Sequence, residues 1–95
     1  MPLEVLTTPS FARTAKKLHV KDKKTVDQAV TAIANDATLG EEKKGDLAGL
    51  FVHKFKLNPQ ETLLAYGLNP NRKSPTQVVL LAVGPHKNFY AQLKR

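Results

Sequence analysis

Four residues in the second half of the chain have side chains suited to chemistry on a phosphodiester: Lys54, Lys56, His86 and Tyr90. A histidine ring transfers protons near neutral pH, and ammonium groups stabilise a charged phosphate. An aromatic ring provides a surface on which an unpaired base can stack. RNA carries its own nucleophile in the 2′-hydroxyl, so this set is suited to metal-free cleavage of RNA.

Several other chemistries lack the residues they need. The chain has no cysteine, and its three histidines (His19, His53 and His86) lack the spacing of metal ligands. It has neither a glycine-rich phosphate loop nor a serine in a nucleophile elbow. We therefore expect no metal and no cofactor. His53 lies between Phe51 and Phe55 on an apolar face, and we interpret it as a packing residue.

The apolar run from Val78 to Val83 predicts the strand that positions His86. It is short and apolar on both faces, which is typical of a central strand. Gly84-Pro85 predicts the end of the strand, because proline has no N–H for the ladder. His86, Lys87 and Tyr90 follow this break, and segments after strands often carry functional residues.

The segment from Leu50 to Leu57 predicts the strand that positions the two lysines. Phe51, His53, Phe55 and Leu57 alternate with Val52, Lys54 and Lys56, so one face is apolar and the other cationic. Two like charges two residues apart on a strand repel each other, and an anionic ligand would relieve the repulsion. The alternative is that both lysines simply point into water.

The remaining sequence predicts an α+β fold. Thr8-Pro9 predicts a helix start, Asp22 the N-cap of a second helix, and Gly40 its left-handed end. Further strands are predicted over residues 3–6 and 61–68, with a polar loop over 69–75 and a helical turn from about Asn88. We expect a single domain, residues 1–95, in which an N-terminal αα-hairpin packs on a twisted, mostly antiparallel four-stranded sheet with a short C-terminal helix.

Positive charge is concentrated in the second half of the chain. Residues 1–46 carry eight cations and seven anions, whereas residues 47–95 carry seven cations and one anion, Glu61. The cations are Lys54, Lys56, Arg72, Lys73, Lys87, Lys94 and Arg95; we assign the last five to RNA binding. A one-sided basic half favours nucleic acid or an acidic protein as partner, and a merely basic surface is the alternative.

Neither a membrane span nor a signal peptide is predicted. No apolar run approaches the length of a transmembrane helix, and the first ten residues lack a basic region followed by an apolar one. We expect a cytoplasmic protein that does not bind membranes.

The segments GLFVHKFKL, TLLAYGL and VVLLAVGPHKNFYAQLKR, together with the order of elements, resemble the RelE/ParE superfamily of bacterial type II toxins. The tail is most similar to RelE-type toxins with the pattern GxHxNFYxxLKR. This resemblance implies an endoribonuclease that cleaves mRNA in the A site of the small (30S) ribosomal subunit. It also implies a 2′,3′-cyclic phosphate product, no metal or cofactor, and a cognate antitoxin.

The resemblance assigns roles to individual residues. Lys54 and Lys56 match the paired strand lysines of RelE in the pattern K-x-K-L, His86 takes the position after the last strand where relatives have an arginine or a catalytic histidine, and Tyr90 matches the C-terminal aromatic. The chain departs from RelE at residues 62–64, where RelE has an arginine and this chain has no cation. Arg72, on the next loop, is the candidate substitute.

Two other functions stay open. The ParE branch shares the fold and inhibits DNA gyrase, but it lacks the nuclease residues, and the presence of these residues here favours the nuclease. The third possibility is a basic nucleic-acid-binding module without catalysis. For the free toxin we expect a monomer or weak homodimer.

The antitoxin is predicted to be net acidic and to contact residues 50–95, because an acidic segment would complement the cations there and exclude RNA. We expect its apolar anchor to be a helix in the groove between the αα-hairpin and the sheet.

Overall fold

Five strands and two α-helices make up the part of the chain that the computed structural model describes, which is residues 3–45, 49–57, 60–71, 73–85 and Phe89. Their bounds are β1 Glu4–Thr7, α1 Pro9–Lys16, α2 Val20–Asn35, β2 Glu41–Glu42, β3 Phe51–Leu57, β4 Gln60–Asn69 and β5 Gln77–Pro85. The predicted α+β fold, with a helical hairpin and a sheet, is confirmed. The sheet has five strands rather than four, because Glu41-Glu42 pairs with the start of β3.

The sheet has the order β1-β5-β4-β3-β2. β1 runs parallel to β5, while the other neighbouring pairs are antiparallel. Val78 pairs with Val5 of β1 on one side and with Leu68 of β4 on the other. The prediction that 78–83 lies inside the sheet is therefore confirmed, and β4 is the strand in the middle.

The prediction that β5 ends before Gly84 is wrong. Gly84 pairs with Leu63 and Pro85 with Thr62, so the strand continues through both residues. In the described chain β1 pairs with β5 only as far as Leu80, so the last residues of β5 have a neighbouring strand on one side alone. Proline is tolerated in such an edge position, because its missing N–H is not needed on the open side.

Thr8 fixes α1 to the sheet. Its side-chain oxygen accepts a hydrogen bond from the Phe11 N–H at 3.3 Å, as expected of an N-cap, and Pro9 occupies the first helical turn. The same hydroxyl donates to the Leu80 carbonyl at 2.9 Å. The predicted helix start is confirmed, and the cap also anchors the helix on β5.

Two predictions about α2 are wrong. The N-cap is His19, whose backbone is extended, and Asp22 lies in the first helical turn. There its carboxylate still favours the helix by facing the positive end of the dipole. The helix ends at Asn35, followed by a 3₁₀ turn over Ala37–Leu39, and Gly40 is extended (φ −82°) rather than left-handed.

The core lies on both faces of the sheet. On the helix face the buried residues are Phe11, Val26, Ile33, Phe51, Leu64, Tyr66, Val78, Leu80 and Val83. On the opposite face, called here the open face, Val52, Leu63, Ala65 and Phe89 form a smaller buried cluster. A register shift between Ala65 and Tyr66 gives β5 one extra residue, so Leu80 and Val83 both face the helices.

Candidate nucleic-acid interface

The two strand lysines project from the open face of the sheet. Phe51 and Phe55 of β3 pack with the helix-face core, while Val52 packs in the cluster of the open face. Lys54 and Lys56 alternate along the strand with residues of the helix face such as Phe55, and both lysines are exposed. The predicted separation of an apolar face from a cationic face is confirmed, and it follows from the two-residue period of a strand.

A carboxylate that sequence reasoning missed lies beside these lysines. Glu61 of β4 pairs directly with Lys56, and its Oε1 lies 3.9 Å from the Nζ of Lys54. Both side chains of the Lys54–Glu61 pair are about half exposed or more. The signal was present in the charge count, since Glu61 is the single anion among residues 47–95.

A polar cavity of about 430 Å³ borders Lys54. Its lining residues come from the turn before β2, from β2 and the residue after it, and from β3 and β4: Leu39, Glu41, Lys43, Val52, His53, Lys54 and Leu63. Lys43 donates a hydrogen bond to Glu41 at 2.9 Å and, with its charge, lowers the pKa of Glu41; the charge of Lys54 contributes a smaller lowering. Lys54 is thus under the influence of two carboxylates.

Phe89 is buried on the open face. It is 1% exposed and clusters with Val52, Leu63 and Ala65. Leu63 pairs with Lys54 in the strand register, so this cluster adjoins the lysines. Phe89 therefore returns the chain after β5 to the face that carries Lys54 and Lys56.

Most of the other predicted site residues lie outside the described part of the chain. These are Arg72, His86, Lys87, Tyr90, Lys94 and Arg95, together with the helical turn predicted from Asn88. Lys73 is described and exposed, in the loop after β4. That loop follows the end of β4 at Asn69, whereas the lysine pair lies beside the start of β4, so the structure does not bring Lys73 to Lys54.

No cation lies on β4 at Thr62–Leu64, the segment in which the sequence departs from the RelE pattern. Thr62, Leu63 and Leu64 are all buried, at 3% exposure or less. Over these residues β4 therefore adds no cation to the two lysines of β3.

His53 is a packing residue, as the sequence indicated. It is half-buried, and its ring stacks on that of Phe55 with the centroids 5.9 Å apart. Burial lowers the pKa of His53, because desolvation disfavours the imidazolium.

The described residues contain no group of three histidine, cysteine or acidic side chains placed to hold a metal ion. Among the helices in this part of the chain, none is long and apolar enough to cross a membrane.

Comparison with known proteins identifies the family. Residues 5–94 match the family model described as ParE-like toxin of type II bacterial toxin-antitoxin system. No curated protein sequence matches the chain.

Solved structures share the fold. The chain is similar to a chain of the Mycobacterium tuberculosis RelBE2 toxin-antitoxin complex, with TM-score 0.75 and 23% identity, covering 90% of this chain and 100% of that one. It is also similar to a mutant Escherichia coli RelE toxin in the free state, with TM-score 0.72 and 13% identity, covering 99% and 94%. At these identities the likeness shows the fold alone. The family match, over nearly the whole chain, shows that this protein belongs to the ParE-like toxins of type II toxin–antitoxin systems, in the RelE/ParE superfamily.

Proposed function

We propose that this toxin is a metal-free endoribonuclease that cleaves mRNA on the ribosome, in the A site, and so inhibits translation. The observation that carries the proposal is the exposure of Lys54 and Lys56 side by side on the open face of the sheet. Both side chains are exposed to solvent, so a nucleic-acid strand can reach their ammonium groups.

The lysines are suited to holding a phosphate, not to moving protons. They supply positive charge where negative charge builds up on the phosphate during attack by the 2′-hydroxyl. The proton transfers need other groups, and we assign them to His86 and Tyr90. The His86 ring takes or gives a proton, and the Tyr90 ring holds the base next to the scissile phosphate.

Two described residues support placing His86 and Tyr90 with the lysines. Pro85, which precedes His86 in the chain, pairs with Thr62, next to the Leu63 that faces Lys54. Phe89, which precedes Tyr90, is buried on the open face against Leu63 and Val52. The described residues on either side of His86, Pro85 and Phe89, thus both lie against β4, the strand next to the lysines.

Inhibition of DNA gyrase is the second candidate function. The matching family model is ParE-like, and β4 has no cation over Thr62–Leu64 where RelE has an arginine. A ParE-type toxin needs no nuclease residues, so a chain with an incomplete nuclease site is compatible with that activity.

Adding the purified protein to a translating extract distinguishes the candidates. The 5′ ends of a reporter message are mapped while gyrase supercoiling is assayed in parallel. Cuts in phase with codons are the result we expect. Loss of supercoiling with intact message would instead assign the ParE-type activity, and the absence of both effects would leave a non-catalytic binding module.

We further propose that the antitoxin of this system is net acidic and covers the lysine-bearing open face. An apolar groove of about 290 Å³ offers an anchor, and it lies within the helical hairpin, between α1 and α2, rather than between the hairpin and the sheet as expected from the sequence. Its apolar lining is formed by Phe11, Ala15, Leu18 and Val26, and its charged lining residues are Lys16, Lys23 and Asp27. An acidic amphipathic helix matches this combination of an apolar floor and a charged lining with more cations than anions.

A further inference from the structure

We propose that Glu61 is an internal competitor for the anion site, a carboxylate that must be displaced from Lys54 and Lys56 before an RNA phosphate can bind there. The inference rests on the proposed function, because it takes the lysine pair to be the phosphate site. It assigns Glu61 a role in setting affinity and salt dependence rather than a role in the chemical step.

The geometry gives Glu61 access to both lysines. It is the cross-strand partner of Lys56, and directly opposed residues on one face of an antiparallel pair have Cβ atoms about 5 Å apart. It is also the diagonal neighbour of Lys54, whose Nζ lies 3.9 Å from its Oε1. One carboxylate is therefore the ion-pair partner of Lys54 and the cross-strand neighbour of Lys56, two cations that would otherwise repel each other.

The contact is of the kind that a ligand can break. The Lys54 side chain is 62% exposed and that of Glu61 is 49% exposed, so water screens their attraction. The distance of 3.9 Å is also too long for a hydrogen bond. An RNA phosphodiester carries a single negative charge and two non-bridging oxygens, as a carboxylate does, so it can take the place of Glu61 at the lysines. Because both side chains are exposed, the exchange leaves no buried charge unpaired.

The consequence is a lower affinity of the free toxin for RNA in general. The chain carries a net charge of +7, and such a protein binds polyanions regardless of sequence. A carboxylate within the site reduces the gain from any single phosphate. RNA held in place by additional contacts, as on a ribosome, is less affected, because those contacts add to the binding energy.

The test compares Glu61→Gln with Glu4→Gln as its matched control. Both variants remove one negative charge and keep the shape of the side chain. Glu4 lies on β1, which is separated from β3 by β5 and β4. Its carboxylate accepts a hydrogen bond from the side chain of Gln77 at 2.7 Å. Three strand spacings separate β1 from β3, about 14 Å, which exceeds the screening length at physiological salt.

The probe is a single-stranded RNA oligonucleotide that is 2′-O-methylated throughout, so that it cannot be cleaved. We expect Glu61→Gln to tighten its binding about 3- to 10-fold, and Glu4→Gln to change it by less than about 2-fold. The slope of log affinity against log salt should steepen by about 0.7 in Glu61→Gln, as expected for one further neutralised phosphate on a single strand.

A double-mutant cycle shows whether Glu61 acts through the lysines. In a Lys54→Ala/Lys56→Ala background, Glu61→Gln should no longer tighten binding. Equal effects of Glu61→Gln and Glu4→Gln would overturn the inference and leave the proposed function in place, provided that the two lysine substitutions weaken binding. If the lysine substitutions leave RNA binding unchanged, or if the wild-type chain binds no RNA at low salt, both the inference and the proposed phosphate site are wrong. Weaker binding by Glu61→Gln would likewise contradict competition and show that Glu61 instead holds the lysines in place.

Discussion

The phenolic oxygen of Tyr66 accepts a hydrogen bond from the backbone N–H of Gly40, with 2.9 Å between N and O. The same hydroxyl donates to the carbonyl of Ala37 at 2.7 Å. Tyr66 is fully buried in the helix-face core, so the polar end of its ring needs these two backbone partners. The contact attaches the chain after α2 to the middle strand of the sheet. The residues on either side of Gly40, Leu39 and Glu41, line the cavity beside Lys54.

Gly40→Ala should destabilise the fold, because a Cβ at residue 40 would lie 2.5 Å from the Tyr66 Oη. We expect the free energy of unfolding, measured in urea, to fall by about 1–3 kcal/mol. Gly67→Ala is the matched control, since a Cβ there has no atom within 4 Å, and it should be neutral or slightly stabilising. Equal effects of the two substitutions would show that the Tyr66 contact does not explain the glycine.

Stability should decrease as the pH falls through the range in which His53 titrates. Burial lowers the pKa of His53 from its ordinary value of 6.5, so the unfolded chain binds a proton at this residue more readily than the folded chain. The contribution of His53 to stability is therefore fully present above about pH 6.5 and is lost as the pH falls towards the folded-state pKa.

The measurement is urea unfolding of the wild type, His53→Gln and His19→Gln at about pH 7.5 and about pH 5.5. His19 is exposed and supplies the control. We expect a smaller difference between the two pH values in His53→Gln than in the other two proteins. An identical pH dependence in all three would exclude His53 as the source.

The lysine pair should contribute to RNA affinity in unequal amounts. Lys54 lies 3.9 Å from Glu61 and also interacts with Glu41, whereas Lys56 is placed opposite Glu61 alone. Because Lys54 is the more neutralised of the two, Lys56→Ala should weaken binding of the methylated RNA more than Lys54→Ala. Lys24→Ala, on the exposed side of α2, is the control and should have little effect. A larger effect of Lys24→Ala than of Lys56→Ala would move the RNA site to the helical hairpin.

An acidic antitoxin that covers the open face should dissociate more readily as salt rises, because screening weakens its attraction to the lysines. Co-expression of the neighbouring small gene, followed by pull-down over a salt series, tests this expectation. A complex that is indifferent to salt and protects only residues 8–37 would confine the interface to the helical hairpin and leave the open face uncovered.

The sequence predicted the local features of this fold better than the distant ones. Alternation along Phe51–Leu57 assigned each side chain to its face, because a strand has a period of two whatever it pairs with. The sequence predicts a helix terminator at Gly40, because no local pattern links this glycine to Tyr66, its partner 26 residues away. The sequence misplaces the end of β5 for the same reason. A proline can continue a strand where one edge of that strand is open, and whether the edge is open depends on pairing with distant strands.

The candidate site was predicted in the same way. The two lysines follow from strand periodicity, and the structure places them where that periodicity requires. The carboxylate beside them depends on the register between β3 and β4, which pairs Lys56 with Glu61. Register is a tertiary property, so the sequence offered the charge count but not the contact.

Cleavage of a defined message in a stalled ribosome complex tests the central proposal most directly. The measured quantities are the single-turnover rate and the chemistry of the new 3′ end, for the wild type, His86→Ala and His19→Ala. We expect a 2′,3′-cyclic phosphate, a rate about 10²–10⁴-fold lower in His86→Ala, and no change in His19→Ala. A product ending in a free 3′-hydroxyl, or an undiminished rate in His86→Ala, would contradict the account.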